Sequence, residues 1–520
     1  MKHLVSLLLF VLLTDKYEGA KILGVFILCG KSHYHLGNSL MRGLAEAGND
    51  VTMISPFEDK DPTENGSYRN VVLTGIADGY EDHLKRLNLF GGNDFNSFTH
   101  IVGFHKSVYS QVKRAFDHPN VQKLLNSNEQ FDAVIIEQFS NDALQVLPHH
   151  FNAHFIAFSP VGSYYTVNNM VGNPTMTSYT PGFITTFSRD MSLFQRIYNT
   201  LLHLSQCFLE YFVLLDKYEK LLTEYFPSAP SIYDLHFNAS LVLLNSHESL
   251  GQPVPLVPNM INIGGFHVKP PKVLPVDLQR YLDEAEDGVV LLSFGSNLRM
   301  HNMDEGKRNA LVNALGKLKQ RVLWKWESGY DFELPPNIKR VNWIPQMDVL
   351  AHPNVKLFVT HGGLLSQTET IYNGVPVLVI PVFGDQAMNA NNAVYDGYGL
   401  SLSYHDPQFG EAKLTAVLEK LLSEPRYQEN AKRVSRLYHD RYMTPMETAV
   451  YWVDYVIRHH GAPHLRVAGV KLPWYKYCLL DVFGVIVISF GLVIISLVFL
   501  LKCILKVFQN RKTATKLKGS

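Results

Sequence analysis

At 520 residues the chain is too long for a single compact core, so two domains with appendages are expected. Lysine plus arginine and aspartate plus glutamate both number 47, a balance that argues against nucleic acid as the main partner. Hydrophobic residues at 46% and aromatics at 12% suffice for large cores and a membrane segment.

The first elements read as a leader and the start of a parallel sheet. Lys2-His3 precedes an apolar run over 4–13, with Gly19-Ala20 beyond it, the pattern of a signal peptide over 1–20. Glu18 sits poorly before that cleavage point, and an N-terminal anchor is the alternative, disfavoured by the short run. Residues 21–29 and 50–55 read as strands, and 36–48 as an amphipathic helix ended by glycine. The loop between them, G-K-S-H-Y-H, holds His33 and His35. A histidine at the carboxyl end of such a strand is placed for proton transfer, and it reads equally as a surface loop residue. No G-x-G-x-x-G follows the strand, which counts against a nicotinamide or flavin site.

Residues 131–137, F-D-A-V-I-I-E, form the next buried strand, with Glu137 at its carboxyl end. A carboxylate there is costly unless paired, and beside a histidine it makes a base–orienter pair. Another strand is expected over 154–158. Asp59-Lys60-Asp61 has a D-x-D spacing but lies in a polar, proline-flanked stretch that reads as an exposed loop. Residues 159–181 read as a long irregular loop. The stretch 191–222 reads as helical throughout, either core or a lid over an acceptor pocket, with core preferred. Of the four cysteines, Cys478 and Cys503 flank the C-terminal apolar run. Cys29 and Cys207 permit one disulfide, although Cys29 at a buried strand end reads as a free core thiol.

A proline-rich stretch after Gly264-Gly265 reads as a linker, and a second sheet begins at 288–294 followed by Gly295-Ser296. After a strand over 321–327 comes the most informative segment, W-I-P-Q-M-D-V-L, then L-F-V-T-H-G-G-L-L-S-Q-T-E-T-I, then V-P-V-L-V-I-P-V-F-G-D-Q. It reads as two βα units, with strands over 356–360 and 375–381 and helices over 364–372 and from Asp385 onward. His361, Gly362, Gly363, Asp385 and Gln386 fall where ligands bind in parallel sheets. Two glycines before a helix N-terminus suit a phosphate-bearing ligand, held here without a cationic loop. Further helical patterns cover 413–439 and 446–460. No internal repeat is visible.

Residues 482–501 carry no charge and are long enough to span a bilayer. Lys502, Lys506, Arg511, Lys512, Lys516 and Lys518 follow, which places the C-terminus in the cytosol and the body in the lumen, a single-pass type I arrangement. Sequons at Asn65 and Asn238 agree with luminal glycosylation. Lys516 and Lys518, fifth and third from the end, resemble a dilysine retrieval signal and favour the endoplasmic reticulum membrane.

The 343–386 segment, together with S-H-Y, F-D-x-x-x-x-[acid], L-L-S-F-G-S and R-H-H-G-A-P-H-L-R, closely resembles the UDP-glycosyltransferases over essentially the whole chain. The likeness is to membrane-bound, arthropod-type members. It implies an α/β fold of the GT-B kind: two Rossmann-like domains facing across a cleft, plus a transmembrane helix. The expected divisions are acceptor-binding 21–265, UDP-sugar-binding 266–445, a helix and juxtamembrane segment 446–475, a span 482–501 and a basic tail 502–520. The resemblance implies inverting transfer of a sugar from a UDP-sugar, with UDP-glucose favoured over UDP-glucuronate, to a hydroxyl of a small lipophilic acceptor, in the manner of detoxification. Trp343 would stack on uracil with Gln346 near the nucleoside, and Glu369 would bind the ribose hydroxyls. His361, Gly362, Gly363 and Ser366 would hold the diphosphate, with Ser296 from its own loop. Asp385, Gln386 and Asn389 would hold the sugar. His33 would be the base and Glu137 the orienting acid, commonly an aspartate in the family; His35 falls outside the motif position.

The UDP-sugar is then a co-substrate, with no cofactor and no metal required, and self-association into a homo-oligomer is left open. A neutral hydroxyl acceptor needs its proton removed as it attacks, which suits a histidine held by a carboxylate. Two other classes remain in view, a UDP-sugar epimerase on a similar fold and a non-enzymatic membrane-bound carrier of lipophilic ligands. Trp343, Gln346 and Glu369 could singly be a core aromatic, a cap and a surface charge; jointly, at this spacing, that is improbable.

Overall fold

The computed structural model describes residues 19–80, 89–91, 98–182, 185–296, 298, 300–326 and 332–517. Residues 1–18 of the expected signal peptide and Lys518 of the expected retrieval signal lie outside them. The chain divides into a body, Met1–Arg466, and a C-terminal unit, Val467–Ser520.

The body holds two sheets, both wholly parallel. Strands β1 (Lys21–Val25), β2 (Asp50–Ser55), β3 (Ser67–Val72), β4 (Ala133–Glu137), β5 (His154–Ser159), β6 (Leu241–Leu244) and β7 (Met260–Asn262) pair in the order β3-β2-β1-β4-β5-β6-β7. Strands β8 (Val289–Ser293), β9 (Arg321–Lys325), β10 (Ile338–Val341), β11 (Val355–Thr360), β12 (Val377–Val379) and β13 (Gly399–Ser401) pair as β10-β9-β8-β11-β12-β13. Strands such as A-V-I-I-E and V-V-L-L-S are buried along their whole length because helices cover both faces. In each sheet the winding reverses once, between β1 and β4 in the first and between β8 and β11 in the second. Loops diverge at such points and open a crevice beyond the carboxyl ends.

Helix Lys31–Glu46 follows β1 and starts earlier than the sequence suggests. Gly30 is its N-cap, so His33 stands in the first helical turn and His35 opens the second, instead of a loop. The polar K-S-H-Y-H has no apolar period, which is why the start was not visible. The 191–222 stretch divides into helix Leu193–Leu209, a π-helical turn Glu210–Leu214 and helix Leu215–Tyr225. The first of these is not core: it buries only Asn199, and Phe194 is 81% exposed. Helix Pro445–Arg458 packs Ala449, Val453 and Val456 into the core of the first sheet, with Ile22, Leu40 and Ile156.

In the C-terminal unit one helix, Leu480–Leu517, contains an apolar stretch, Leu480–Asn510, whose most apolar 18 residues have a mean hydropathy of 3.0, long enough to cross a membrane.

Candidate active site

The first crevice brings His33 and Glu137 together. Both lie beyond the reversal between β1 and β4, 104 residues apart in sequence. His33 Nδ1–H donates to Glu137 Oε1 at 2.7 Å. Glu137 is wholly buried while the His33 side chain is 24% exposed, so the ring pairs on its inner side and remains reachable on the other. The turn after β4 fixes the Glu137 backbone: Asn141 Nδ2 donates to the Glu137 carbonyl at 2.7 Å, and the Phe139 amide donates to Asn141 Oδ1 at 3.0 Å. Ser140 takes a left-handed φ of 64°, and the Tyr218 hydroxyl donates to its carbonyl. Burial pushes the His33 pKa down, but the charge and hydrogen bond of Glu137, aided by Asp385, raise it above 6.5.

Asp385 belongs to the second sheet, as the N-cap of helix Gln386–Tyr395, so its influence on His33 links the two halves. Burial raises the Asp385 pKa against the pull of the Asn389 amide, which donates to Asp385 Oδ2 and to the Gly362 carbonyl, both at 2.9 Å. Gln386 turns inward: its Oε1 accepts from the amides of Val382 at 2.8 Å and Phe383 at 3.1 Å, shaping the loop that presents Asp385.

The second crevice lies beyond β8 and β11. Gly362 has φ +91°, where a side chain would be strained and would strike Val379. A Cβ on Gly363 would come within 2.7 Å of His361 Nε2, and one on Gly295 within 2.8 Å of His361 Cε1. The imidazole is thus wedged between two glycines. Burial, with the nearby Lys325 charge, pushes its pKa down to about 4, so it is neutral at ordinary pH. Helix Leu364–Asn373 begins at Gly363 and directs its N-terminus to this spot. Ser296, half-buried, is in the turn beyond β8.

Beside this cradle Gln346 Nε2 donates to Glu369 Oε2 at 2.6 Å and to Ser366 Oγ at 3.1 Å. Glu369 is pushed up to about 7, chiefly by burial, against that amide. Trp343 is 75% exposed. The residue that sequence reasoning missed is Lys325, at the end of β9: its Nζ donates to the Gly295 carbonyl at 2.7 Å and stands 5.4 Å from the centre of the Trp343 ring. The expected cradle had no cation; this one has a lysine, legible only as the charge ending R-V-L-W-K.

Between the two halves lies a cavity of about 260 Å³, lined from one side by Tyr164, Leu202 and Gln206 and from the other by Asp385, Met388 and Asn389. Elsewhere, Asp59 of the D-x-D accepts from Arg42 and Asn38, a structural pairing. Cys29 and Cys207 are not bonded to each other: burial raises the Cys29 thiol to about 12, and Cys207 Sγ stands 3.7 Å from His203 Nε2. Asn65 and Asn238 are both exposed.

Two parallel sheets of Rossmann kind, each with a functional crevice at its reversal, define the body as a GT-B glycosyltransferase fold. The calicheamicin glycosyltransferase CalG4 superimposes with a TM-score of 0.59 at 18% identity, over 85% of this chain and 99% of its own. Residues 88–518 match the UDP-glucoronosyl and UDP-glucosyl transferase family, and the chain belongs to it. UDP-glycosyltransferase UGT5 of Dactylopius coccus is 37% identical, across 93% of this chain and 92% of the relative. A human 2-hydroxyacylsphingosine 1-beta-galactosyltransferase is 33% identical, across 95% and 90%. The chain is therefore an enzyme that transfers a glycosyl group from a UDP-sugar to an acceptor, which sets aside the carrier and epimerase readings.

Proposed function

We propose that the enzyme transfers a hexose, with UDP-glucose as donor, to a hydroxyl of a small lipophilic acceptor with inversion, and that His33 is the base. The observation that carries this reading is the 2.7 Å contact of His33 with wholly buried Glu137, together with Asp385, whose charge reaches His33 and which lines the cavity between the two halves. With Nδ1–H committed to Glu137, His33 Nε2 keeps its lone pair for an acceptor proton. As that proton leaves, the acceptor oxygen attacks the anomeric carbon from the face opposite UDP, and the bond to the diphosphate oxygen breaks. Glu137 stabilises the imidazolium formed. The glutamate in place of the family's commoner aspartate keeps hydrogen-bond length in this geometry.

The departing diphosphate gains charge that the amides at Gly362 and Gly363, the helix N-terminus and the neutral His361 N–H can stabilise. Trp343 offers a face to uracil, and Glu369, held by Gln346, accepts from the ribose hydroxyls, with Ser366 on the diphosphate side. Asp385, with Gln386 and Asn389 shaping its loop, accepts from sugar hydroxyls, and Ser296 closes the diphosphate side. No metal enters this scheme. We further propose the type I placement in the endoplasmic reticulum membrane, with the body luminal and glycans at Asn65 and Asn238.

Incubation with labelled UDP-glucose and a panel of phenols and steroids, with and without chelator, tests the reading. Conjugate should form in both conditions, and His33→Ala should bind UDP yet form none. An absolute need for a divalent ion, or near-normal turnover of His33→Ala, would refute it.

A further inference from the structure

The loop before helix Leu193–Leu209 is fastened to helix Gln386–Tyr395 of the other half. Asn391 Nδ2 donates to the carbonyls of Thr186 at 3.0 Å and Phe187 at 3.1 Å. Arg189 grips the same helix end: its Nη2 donates to Asn392 Oδ1 at 3.3 Å and stands 3.8 Å from Asp396 Oδ2. Its guanidinium carbon lies 4.1 Å from the centre of the Tyr395 ring. The side chain is only 17% exposed, so the charge is largely desolvated and these contacts are stronger than surface ones.

What the clasp joins gives it meaning. Phe187 and Arg189 line the cavity, and so do Asn392 and Tyr395 of the helix they grip. The N-cap of that helix is Asp385, the group whose charge reaches His33. One arginine therefore connects the wall around an acceptor to the helix that presents the sugar-facing carboxylate.

We propose that Arg189 is a positioning residue for the acceptor: it holds the acceptor-side wall against helix Gln386–Tyr395 and so fixes the attacking hydroxyl relative to His33 and the sugar. This rests on the transferase reading of the cavity given above. Loosening the clasp leaves the donor crevice intact, since Arg189 touches neither His361 nor Trp343 among its recorded partners. It allows water to take the acceptor's place. Water oxygen then attacks the anomeric carbon, its proton passes to His33, UDP departs, and free sugar replaces the conjugate.

The test uses the full-length enzyme in detergent with UDP-glucose and UDP-glucuronate as donors and 4-nitrophenol and 1-naphthol as acceptors. Acceptor KM, kcat, UDP Kd and the ratio of free sugar to conjugate are measured for wild type, Arg189→Ala, Arg189→Lys, Tyr395→Leu and the Arg189→Ala/Tyr395→Leu double variant. Arg189→Ala should raise acceptor KM about tenfold and raise the free-sugar share, with UDP Kd unchanged. Arg189→Lys should recover part of the loss, because it keeps a cation over Tyr395. In the Tyr395→Leu background the effect of Arg189→Ala should shrink. The inference is overturned if Arg189→Ala leaves acceptor KM and the free-sugar share unchanged. A parallel fall in UDP affinity, kcat and melting temperature, the sign of a merely structural role, overturns it too. Should the wild type form conjugate and His33→Ala form none, the transferase reading stands whatever Arg189 does. If the wild type forms no conjugate, that reading falls and this inference with it.

Discussion

His361 and Glu369 border the same crevice, and burial acts on them in opposite directions. It removes the charge from His361, whose pKa falls to about 4, and it pushes Glu369 up to about 7. The first gives a neutral N–H donor at every physiological pH. The second gives a carboxylate that is half protonated near neutrality, while ribose hydroxyls are best accepted by the charged form. UDP binding should therefore weaken as pH falls below about 7, approaching tenfold per unit, and Glu369→Gln should abolish that dependence. Calorimetric titration with UDP between pH 5.5 and 8 measures it; a flat profile in the wild type contradicts the ribose role. The wedging of His361 is equally testable. In Gly363→Ala the new methyl would lie 2.7 Å from Nε2, so the ring must move, and UDP affinity should fall about tenfold. Unchanged affinity would mean the ring position is immaterial to donor binding.

The helices carry a different lesson. Helix Pro445–Arg458 lies beyond the donor sheet in sequence but packs on the first sheet, burying Val453 completely. Val453→Ala should cost about 2 kcal/mol of stability and leave UDP affinity unaltered, as read by denaturant unfolding and calorimetry. A loss of UDP binding without loss of stability would place that helix with the donor crevice instead. The sequence pattern could announce this helix, V-Y-W-V-D-Y-V-I, but not its partner, because an apolar stripe does not say which sheet it covers. The strands were legible for the opposite reason: a parallel strand buried on both faces is an unbroken apolar run, and β1, β4, β8 and β11 all read that way. Short or polar strands did not, β3 with its S-Y-R-N-V-V being the example. Apolar composition also misled. Helix Leu193–Leu209 is rich enough in leucine and phenylalanine to be core, yet turns Phe194, Leu201 and Phe208 outward. Of the site, His33, Glu137 and the glycine cradle were legible because they end or closely follow apolar strands at a reversal. Lys325 and Arg189 were not, since a single cation has no pattern until the fold supplies its neighbours.

Taken together, the chain sets two crevices against each other. One holds a histidine and a buried acid; the other holds a glycine cradle, a neutral histidine and a lysine. Asp385 joins them by raising the His33 pKa from the far half. On the proposed mechanism the proton leaves the acceptor through His33. Neutral imidazole is the working form, so kcat/KM should fall as pH drops through the raised His33 pKa, above 6.5. In Glu137→Gln the charge that raises it is gone while burial still lowers it, so the acid limb should move to lower pH. Turnover should fall by about 10²- to 10³-fold, with UDP affinity unchanged. The decisive measurement is that pH profile of kcat/KM in wild type and Glu137→Gln, with His33→Ala as the floor. A limb that shifts acidward with lost turnover is the expected result; an unmoved limb and near-normal turnover in Glu137→Gln would contradict the pairing of base and acid.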